Sequence, residues 1–376
     1  MNCEFLSSLT GEFNEAGQRL GRVTALDGAL WSFSLLDRSR RMQGDLLDLL
    51  GFGPRETPYR VQLAGSHWIL RDYGRGDQMQ SVFIVAAPIK RPYIWDLLPV
   101  VSAIRRCQEA GLHVYLLEWM PASAETANVG LAEYVRAIEA ALAAVERGPE
   151  QPRPILMGHS LGGTLATIFA AKERPAIAGL VLLGVPLCFG SSSFRDALVK
   201  LVPEHVPKFH PFPGSMLSQA SALISPYAFV WSRLLAAGVS GGDPFVVDIQ
   251  ARIERWALDE VALPGRLVSE VVELLYKRDC FRRGVMQIGA SIIGPERISA
   301  PALAIANAAD PVAPLSSVSP IRDVLGAGRF QIIVYPGEPG VGLQHLGILV
   351  GRRAHDQVWP KIIEWISRRA AMDRPG

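Results

Sequence analysis

The chain has 376 residues, is 49% hydrophobic and 20% charged, and carries a formal net charge of +2. It is long enough to bury a large core without disulfides or metals, and its balanced charge gives no electrostatic case for a nucleic-acid partner. The four cysteines, Cys3, Cys107, Cys188 and Cys280, are far apart and form no Cys-x-x-Cys pair, so neither a zinc site nor a disulfide framework is expected. Free thiols and a polar N-terminus of mixed charge (Asn2, Glu4, Glu12, Glu15) fit a cytoplasmic protein without a signal peptide. The longest apolar run, Gly179 to Gly190, is too short to span a bilayer and contains Pro186, so no transmembrane segment is expected. The arginines near the C-terminus (Arg352, Arg353, Arg368, Arg369, Arg374) read as a solvated helix face.

In chain order, residues 1–55 have helical spacing, with Leu46, Leu47, Leu49 and Leu50 as the apolar face of a helix ending near Gly51. Strand-like runs Tyr59 to Leu63 and His67 to Tyr73 follow, joined by Ala64-Gly65-Ser66 as a hairpin turn. Strands and helices then alternate: a strand at Ser81 to Ala86, a helix at Ile94 to Ala110, a strand at His113 to Leu117 and a helix at Leu131 to Val145. The alternation continues with a strand at Ile155 to Met157, a helix at Leu161 to Ala171 and a strand at Leu180 to Leu183. This is the pattern of βαβ units in a mostly parallel sheet covered on both faces. Between about Pro186 and Gly289 no clear sheet strand is visible, and the pattern resumes with strands Ala302 to Ala306 and Phe330 to Tyr335 and a last helix, Val358 to Ala371. The expected organisation is a helical N-terminal segment (1–55), a core in two parts (56–185 and 291–376), and a helical cap inserted at 186–290.

Gly158-His-Ser-Leu-Gly162 matches Gly-x-Ser-x-Gly, between an apolar strand and a helix. In that context the chain turns too sharply for side chains at Gly158 or Gly162, and the Ser160 hydroxyl is held above the sheet edge as a nucleophile. The Leu161 N–H, at the helix start, faces a developing oxyanion. A serine needs a base oriented by a carboxylate, in the chain order Ser, acid, His. Only His345 and His355, of seven histidines, follow all plausible acids. His345 lies in a glycine-rich, flexible loop after the last strand and is the expected base, whereas His355 reads as a surface residue. Asp310 follows the strand Ala302 to Ala306 and is the expected acid, because the other acid position, Gly184-Val185-Pro186, has no carboxylate. The second oxyanion donor is expected from Ala87, Ile89 or Lys90, with Ile89 preferred and Pro88 excluded for want of an N–H. His159 reads as a hydrogen-bonding or packing residue of the turn. Trp119, Trp231 and Trp256 read as core residues first and pocket residues second. The arrangement is that of an α/β-hydrolase fold, and no metal or organic cofactor is implied.

Further segments carry a family resemblance. Phe83 to Leu97, Gly111 to Trp119, Trp256 to Gly265, Leu275-Tyr276, Phe281 to Gly284 and His345 to Ala354 ahead of Trp359-Pro360 resemble, in collinear order over roughly residues 80 to 370, the polyhydroxyalkanoate synthases. The resemblance implies an α/β-hydrolase core under a cap, an acyl-CoA substrate polymerised on a catalytic cysteine with Asp and His at the positions of Asp310 and His345, and a homodimer. This chain departs from it: Ser160 stands at the cysteine position, Lys90 at a usual Asn, and Glu118 at a usual Asp before Trp. A serine forms an oxygen ester that is harder to pass onward than a thioester and ends more naturally in hydrolysis. The expected activity is therefore a serine hydrolase or acyltransferase acting on hydroxyacyl esters or thioesters. The alternatives are a synthase working on serine and a non-catalytic accessory protein on the same fold.

Overall fold

A computed structural model describes residues 28–74, 80–145, 152–173, 177–190, 196, 199–200, 208–224, 243–338 and 341–373. Residues 1–27 of the expected N-terminal segment, Trp231, Cys3 and Arg374 lie outside them. The described chain begins with helix α1 (28–49) and a hairpin, β1 (Arg60–Ala64) and β2 (Trp68–Asp72). The alternating part follows as β3 (Ser81–Val85), α2 (Ala103–Glu109), β4 (His113–Trp119), α3 (Leu131–Ala143), β5 (Ile155–His159), α4 (Ser160–Glu173) and β6 (Gly179–Leu183). Next come β7 (Pro211–Phe212), α5 (Gly214–Ile224), α6 (Pro244–Leu258), β8 (Leu263–Pro264), α7 (Gly265–Glu270), which runs into a π-helical turn at Val271–Lys277, and a small hairpin, β9 (Met286–Ile288) and β10 (Ser291–Ile293). The chain closes with β11 (Ala302–Asn307), α8 (Ser319–Leu325), β12 (Phe330–Tyr335), α9 (Gly347–Val350) and α10 (Trp359–Asp373).

Eight strands form one sheet in the order β1-β2-β4-β3-β5-β6-β11-β12, with β2 antiparallel to both its neighbours, β1 and β4, and the other pairs parallel. Alternation along the strands divides the core into two layers. Phe83, Val85, Leu117, Leu156, Leu180 and Leu182 pack on α3 and α4, while Val82, Ile84, Leu116, Met157, Val181 and Ile305 pack toward α2 and α10. Because both faces are covered, β3 through β6 read as unbroken apolar runs. The stretch between β6 and β11 contributes no strand to the central sheet among the described residues. No helix among the described residues is long and apolar enough to cross a membrane.

The structure corrects two expectations and shows what surrounds α1. The helix expected over Ile94 to Ala110 is broken: 3₁₀ turns at Pro92–Trp95 and Pro99–Val101 precede α2, which Ser102 caps by accepting from Arg105 N. Pro99 has no N–H to donate to a continuing ladder, and the Ser102 cap restarts the helix behind it. His355 is buried, not on the surface; its Nε2 lies 2.8 Å from Leu349 O and its ring stacks on Trp359. Burial lowers its pKa to about 4. The leucines near the end of α1, Leu46, Leu49 and Leu50, are exposed, as are Trp31, Leu35 and Met42, whereas Leu30 at its start is buried in a cluster with Phe212, Leu263, Val268 and Val272. Polar residues of α1 also turn inward. Asp37 accepts from Gly214 N and Ser215 N at the start of α5, Arg40 pairs with Glu260, and Asp48 pairs with Arg255.

Candidate active site

Three side chains expected to act together follow the C-terminal ends of three parallel strands: Ser160 after β5, Asp310 after β11 and His345 after β12. Ligands of parallel α/β sheets bind at such an edge. Strand β5 runs directly into α4, and Ser160 at the junction has φ 53°. A non-glycine residue in the left-handed region costs on the order of 1–3 kcal/mol and persists only where its surroundings hold it. Here glycines permit the approach. A Cβ on Gly158 would lie 2.5 Å from Gly163 Cα, and one on Gly162 would lie 2.3 Å from Val85 O. The spacing analysis missed Gly163, where an added Cβ would lie 2.2 Å from Val185 Cγ2.

Asp310 sits in a turn that Asn307 sets up by accepting from Ala309 N at 2.9 Å. Its Oδ1 accepts from Val312 N at 2.8 Å and Ala313 N at 3.2 Å, and its Oδ2 is 2.7 Å from His345 Nδ1. Burial pushes the Asp310 pKa up, but His345 and the two backbone donors outweigh it, and the carboxyl is held below its ordinary value. With Nδ1 donating to the carboxylate, neutral His345 presents Nε2 as an acceptor. That nitrogen is buried and has no hydrogen-bond partner among the described residues.

The segment bearing His345 is built in. His345 is 8% exposed and lies in a 3₁₀ turn, Gln344–Leu346. The Gln344 amide donates to Glu338 O at 2.8 Å and Val341 O at 2.6 Å, and Asn307 Nδ2 donates to Gln344 O at 2.8 Å. His159 Nε2 donates to His345 O at 2.9 Å, with the two rings 4.7 Å apart. Burial lowers the His159 pKa to about 3, so it stays a neutral donor at physiological pH. The glycines of the sequence suggested a flexible loop; in its described part the side-chain amides of Gln344 and Asn307 tie the segment to its neighbours.

Ser160, Leu161, His159 and His345 line one cavity of about 430 Å³, within the usual range for small-molecule sites. All three candidates for the second oxyanion donor, Ala87, Ile89 and Lys90, also line it. Leu263, Leu267, Val268, Val271, Val272 and Tyr276, from the stretch between β6 and β11, form an apolar wall. Trp256 reaches the cavity and donates to Arg91 O, whereas Trp119 is a core residue donating to Ala86 O. Sequence reasoning missed Trp95 and Arg40, which also line the cavity. Lys90 is satisfied by Glu260 and Ala257 O, and burial lowers its pKa.

Sheet order and the strand-to-helix turn are those of the α/β-hydrolase fold. A Hydrolase_4 family, described as serine aminopeptidase, S33, matches residues 122–228. The esterase EaEST from Exiguobacterium antarcticum shares the fold, with a TM-score of 0.52, 13% identity, and coverage of 83% of this chain and 100% of that one. The chain is also similar to PhaC proteins. It is 25% identical over 300 residues to the poly(3-hydroxyalkanoate) polymerase subunit PhaC of Haloarcula marismortui, a match covering 77% of this chain and 61% of that protein. It is 23% identical over 334 residues to PhaC of Thiocystis violacea, covering 88% of this chain and 92% of the relative. The chain thus spans less than two thirds of the haloarchaeal relative's length.

Proposed function

We propose that Ser160, His345 and Asp310 form a nucleophile–base–acid triad, and that the protein is a serine hydrolase or acyltransferase acting on hydroxyacyl esters or thioesters. One observation carries the reading: His345 is committed to Asp310 through Nδ1 at 2.7 Å, its buried Nε2 has no partner among the described residues, and His345 and Ser160 line the same cavity. A buried acceptor without a partner is costly unless a reacting group supplies the proton.

In the proposed cycle Ser160 Oγ attacks the acyl carbonyl carbon as its proton passes to His345 Nε2. Asp310 steadies the imidazolium. The Leu161 N–H, with that of Ile89, receives the oxyanion. Collapse breaks the C–O or C–S bond, and His345 returns the proton to the leaving alcohol or thiol. Water or an alcohol then attacks the acyl-serine, assisted again by His345, and releases acid or ester. The apolar wall at 263–276 receives the acyl chain, and the 186–290 stretch acts as a cap that limits water at the site.

The resemblance to polymerase subunits supports a second reading, in which the alcohol acceptor is a growing polyester and the acyl donor a hydroxyacyl-CoA. Free CoA and polymer are measured together from 3-hydroxybutyryl-CoA, with wild type and Ser160→Ala in parallel. CoA release without polymer, lost in the variant, is expected. Polymer formation would replace this reading by the synthase, and no Ser160-dependent CoA release would exclude thioesters as substrates.

A further inference from the structure

The loop carrying the candidate oxyanion donors, residues 87–91, is gripped from both sides. On the sheet side, Ala86 O accepts from Trp119 Nε1 at 2.7 Å, and Arg91 Nη1 lies 3.4 Å from Glu118 Oε1. On the other side, the end of α6 and the residues after it make four contacts. Lys90 Nζ donates to Ala257 O at 2.6 Å and Glu260 Oε2 at 2.7 Å, Trp256 Nε1 donates to Arg91 O at 2.8 Å, and Tyr93 OH donates to Asp259 Oδ2 at 2.9 Å. Lys90 and Glu260 also form a backbone β-bridge. The Glu260 side chain is fully buried and gathers two more donors, Arg40 Nε at 2.9 Å and Ser218 Oγ at 3.1 Å.

The charges are unequal: two cations, Arg40 and Lys90, share one carboxylate. Without Lys90, Glu260 keeps Arg40; without Glu260, the largely buried Lys90 and the half-buried Arg40 lose their shared carboxylate and keep only Ala257 O. A buried ion pair contributes little net stability over apolar residues of the same volume. The Lys90 arm is therefore hard to account for as a stabilising device, but it spans the gap between the oxyanion loop and the 256–260 segment.

Resting on the triad reading above, we propose that Lys90 is a positioning residue. Through Glu260 and Ala257 it ties the loop bearing the Ala87 and Ile89 N–H groups to the 256–260 segment, so that the second oxyanion donor is aligned only while that segment is seated. An oxyanion contact forms in the transition state, so its misplacement lowers kcat and leaves KM largely unchanged.

The test is steady-state hydrolysis of a p-nitrophenyl acyl ester by the full chain, with thermal unfolding measured on the same samples. Lys90→Met is expected to lower kcat by about 10- to 100-fold with KM within about twofold, less than the roughly 10²- to 10³-fold that follows outright loss of a donor, because the N–H groups are misplaced and not removed. Lys90→Arg, which can still reach Glu260, is expected to retain most of kcat. Glu260→Gln is expected to lower the melting temperature more than Lys90→Met. The double variant Lys90→Met/Glu260→Leu guards against misfolding: stability is expected to exceed that of Glu260→Gln while kcat stays low. A Lys90→Met enzyme with kcat within about twofold of wild type, an Arg variant as defective as the Met variant, or a double variant with restored kcat overturns the proposal. Ser160→Ala separates the two claims. Turnover surviving there contradicts the triad and the clamp with it; turnover lost there but unchanged in Lys90→Met contradicts the clamp alone.

Discussion

The turn at Ser160 and the junction at Glu260 border the same cavity but are specified in opposite ways. At the turn, the residues that must stay small lie within six positions, and steric exclusion does the specifying: Gly158, Gly162 and Gly163 leave no room for a Cβ against one another and against Val85 and Val185 of the neighbouring segments. At the junction, Glu260 joins Lys90, Arg40 and Ser218, partners 170, 220 and 42 residues away in sequence. Local sterics leave a signature in the sequence, whereas a long-range polar hub leaves none. The first kind of site tolerates almost no substitution. The second tolerates those that keep charge and volume balanced.

The largest effect that tests this contrast is chemical. Ser160→Ala is expected to lower turnover by about 10⁴-fold or more with stability little changed, because alanine keeps the Cβ and with it the same strained backbone. Parallel rate and unfolding measurements check it. Within the turn, Gly162→Ala is expected to cost about 3 kcal/mol or more, because the new methyl meets the backbone at Val85. Gly328→Ala, where an added Cβ meets nothing within 4 Å, is expected to change stability by less than about 1 kcal/mol. Equal denaturation midpoints for the two would contradict the steric account.

Acidification sharpens the comparison next. His159 and His355 titrate at about 3 and about 4 in the folded protein and near the ordinary value of 6.5 when unfolded. Between those values the unfolded chain binds more protons, so stability falls as pH drops from about 6.5 toward 4, by a few kcal/mol in order of magnitude. Replacing His355 with Gln, which can still donate to Leu349 O, is expected to flatten the melting temperature over that window; an unchanged slope would remove His355 from the account.

The smallest effect is expected on α1. Leu49, 86% exposed, is expected to tolerate Gln within about 0.5 kcal/mol, while Asp37, buried and accepting from Gly214 N and Ser215 N, is expected to cost more than 1 kcal/mol as Ala. Reversal of that order in urea denaturation would mean that the leucine stripe, not the polar face, anchors the helix.

Legibility in the sequence followed the same division. The sheet strands along the chain, the sharp turn at Ser160 and the meeting of Asp310 with His345 were readable because apolar runs, glycine spacing and chain order are local or ordinal signals. The α1 leucines marked a helix but not what covers its faces, because periodicity identifies a face only: Arg40 and Asp48 found partners at Glu260 and Arg255, far along the chain. The hydrogen bonds that hold the segment of His345, from Gln344 and Asn307, act through side-chain amides that no spacing rule registers. His355 was misplaced because a neighbouring run of charges, Arg352-Arg353 and Asp356, suggested solvent around a ring that packs on Trp359.

The central claim, an acyl-serine formed at Ser160 with His345 as its base, is tested most directly by intact-protein mass after exposure to a fluorophosphonate, with peptide mapping of the adduct. One adduct on Ser160, absent in Ser160→Ala and formed at least about 100-fold more slowly in His345→Ala, is the predicted result. No adduct in the wild type, or equal labelling in the Ser160→Ala variant, would contradict it.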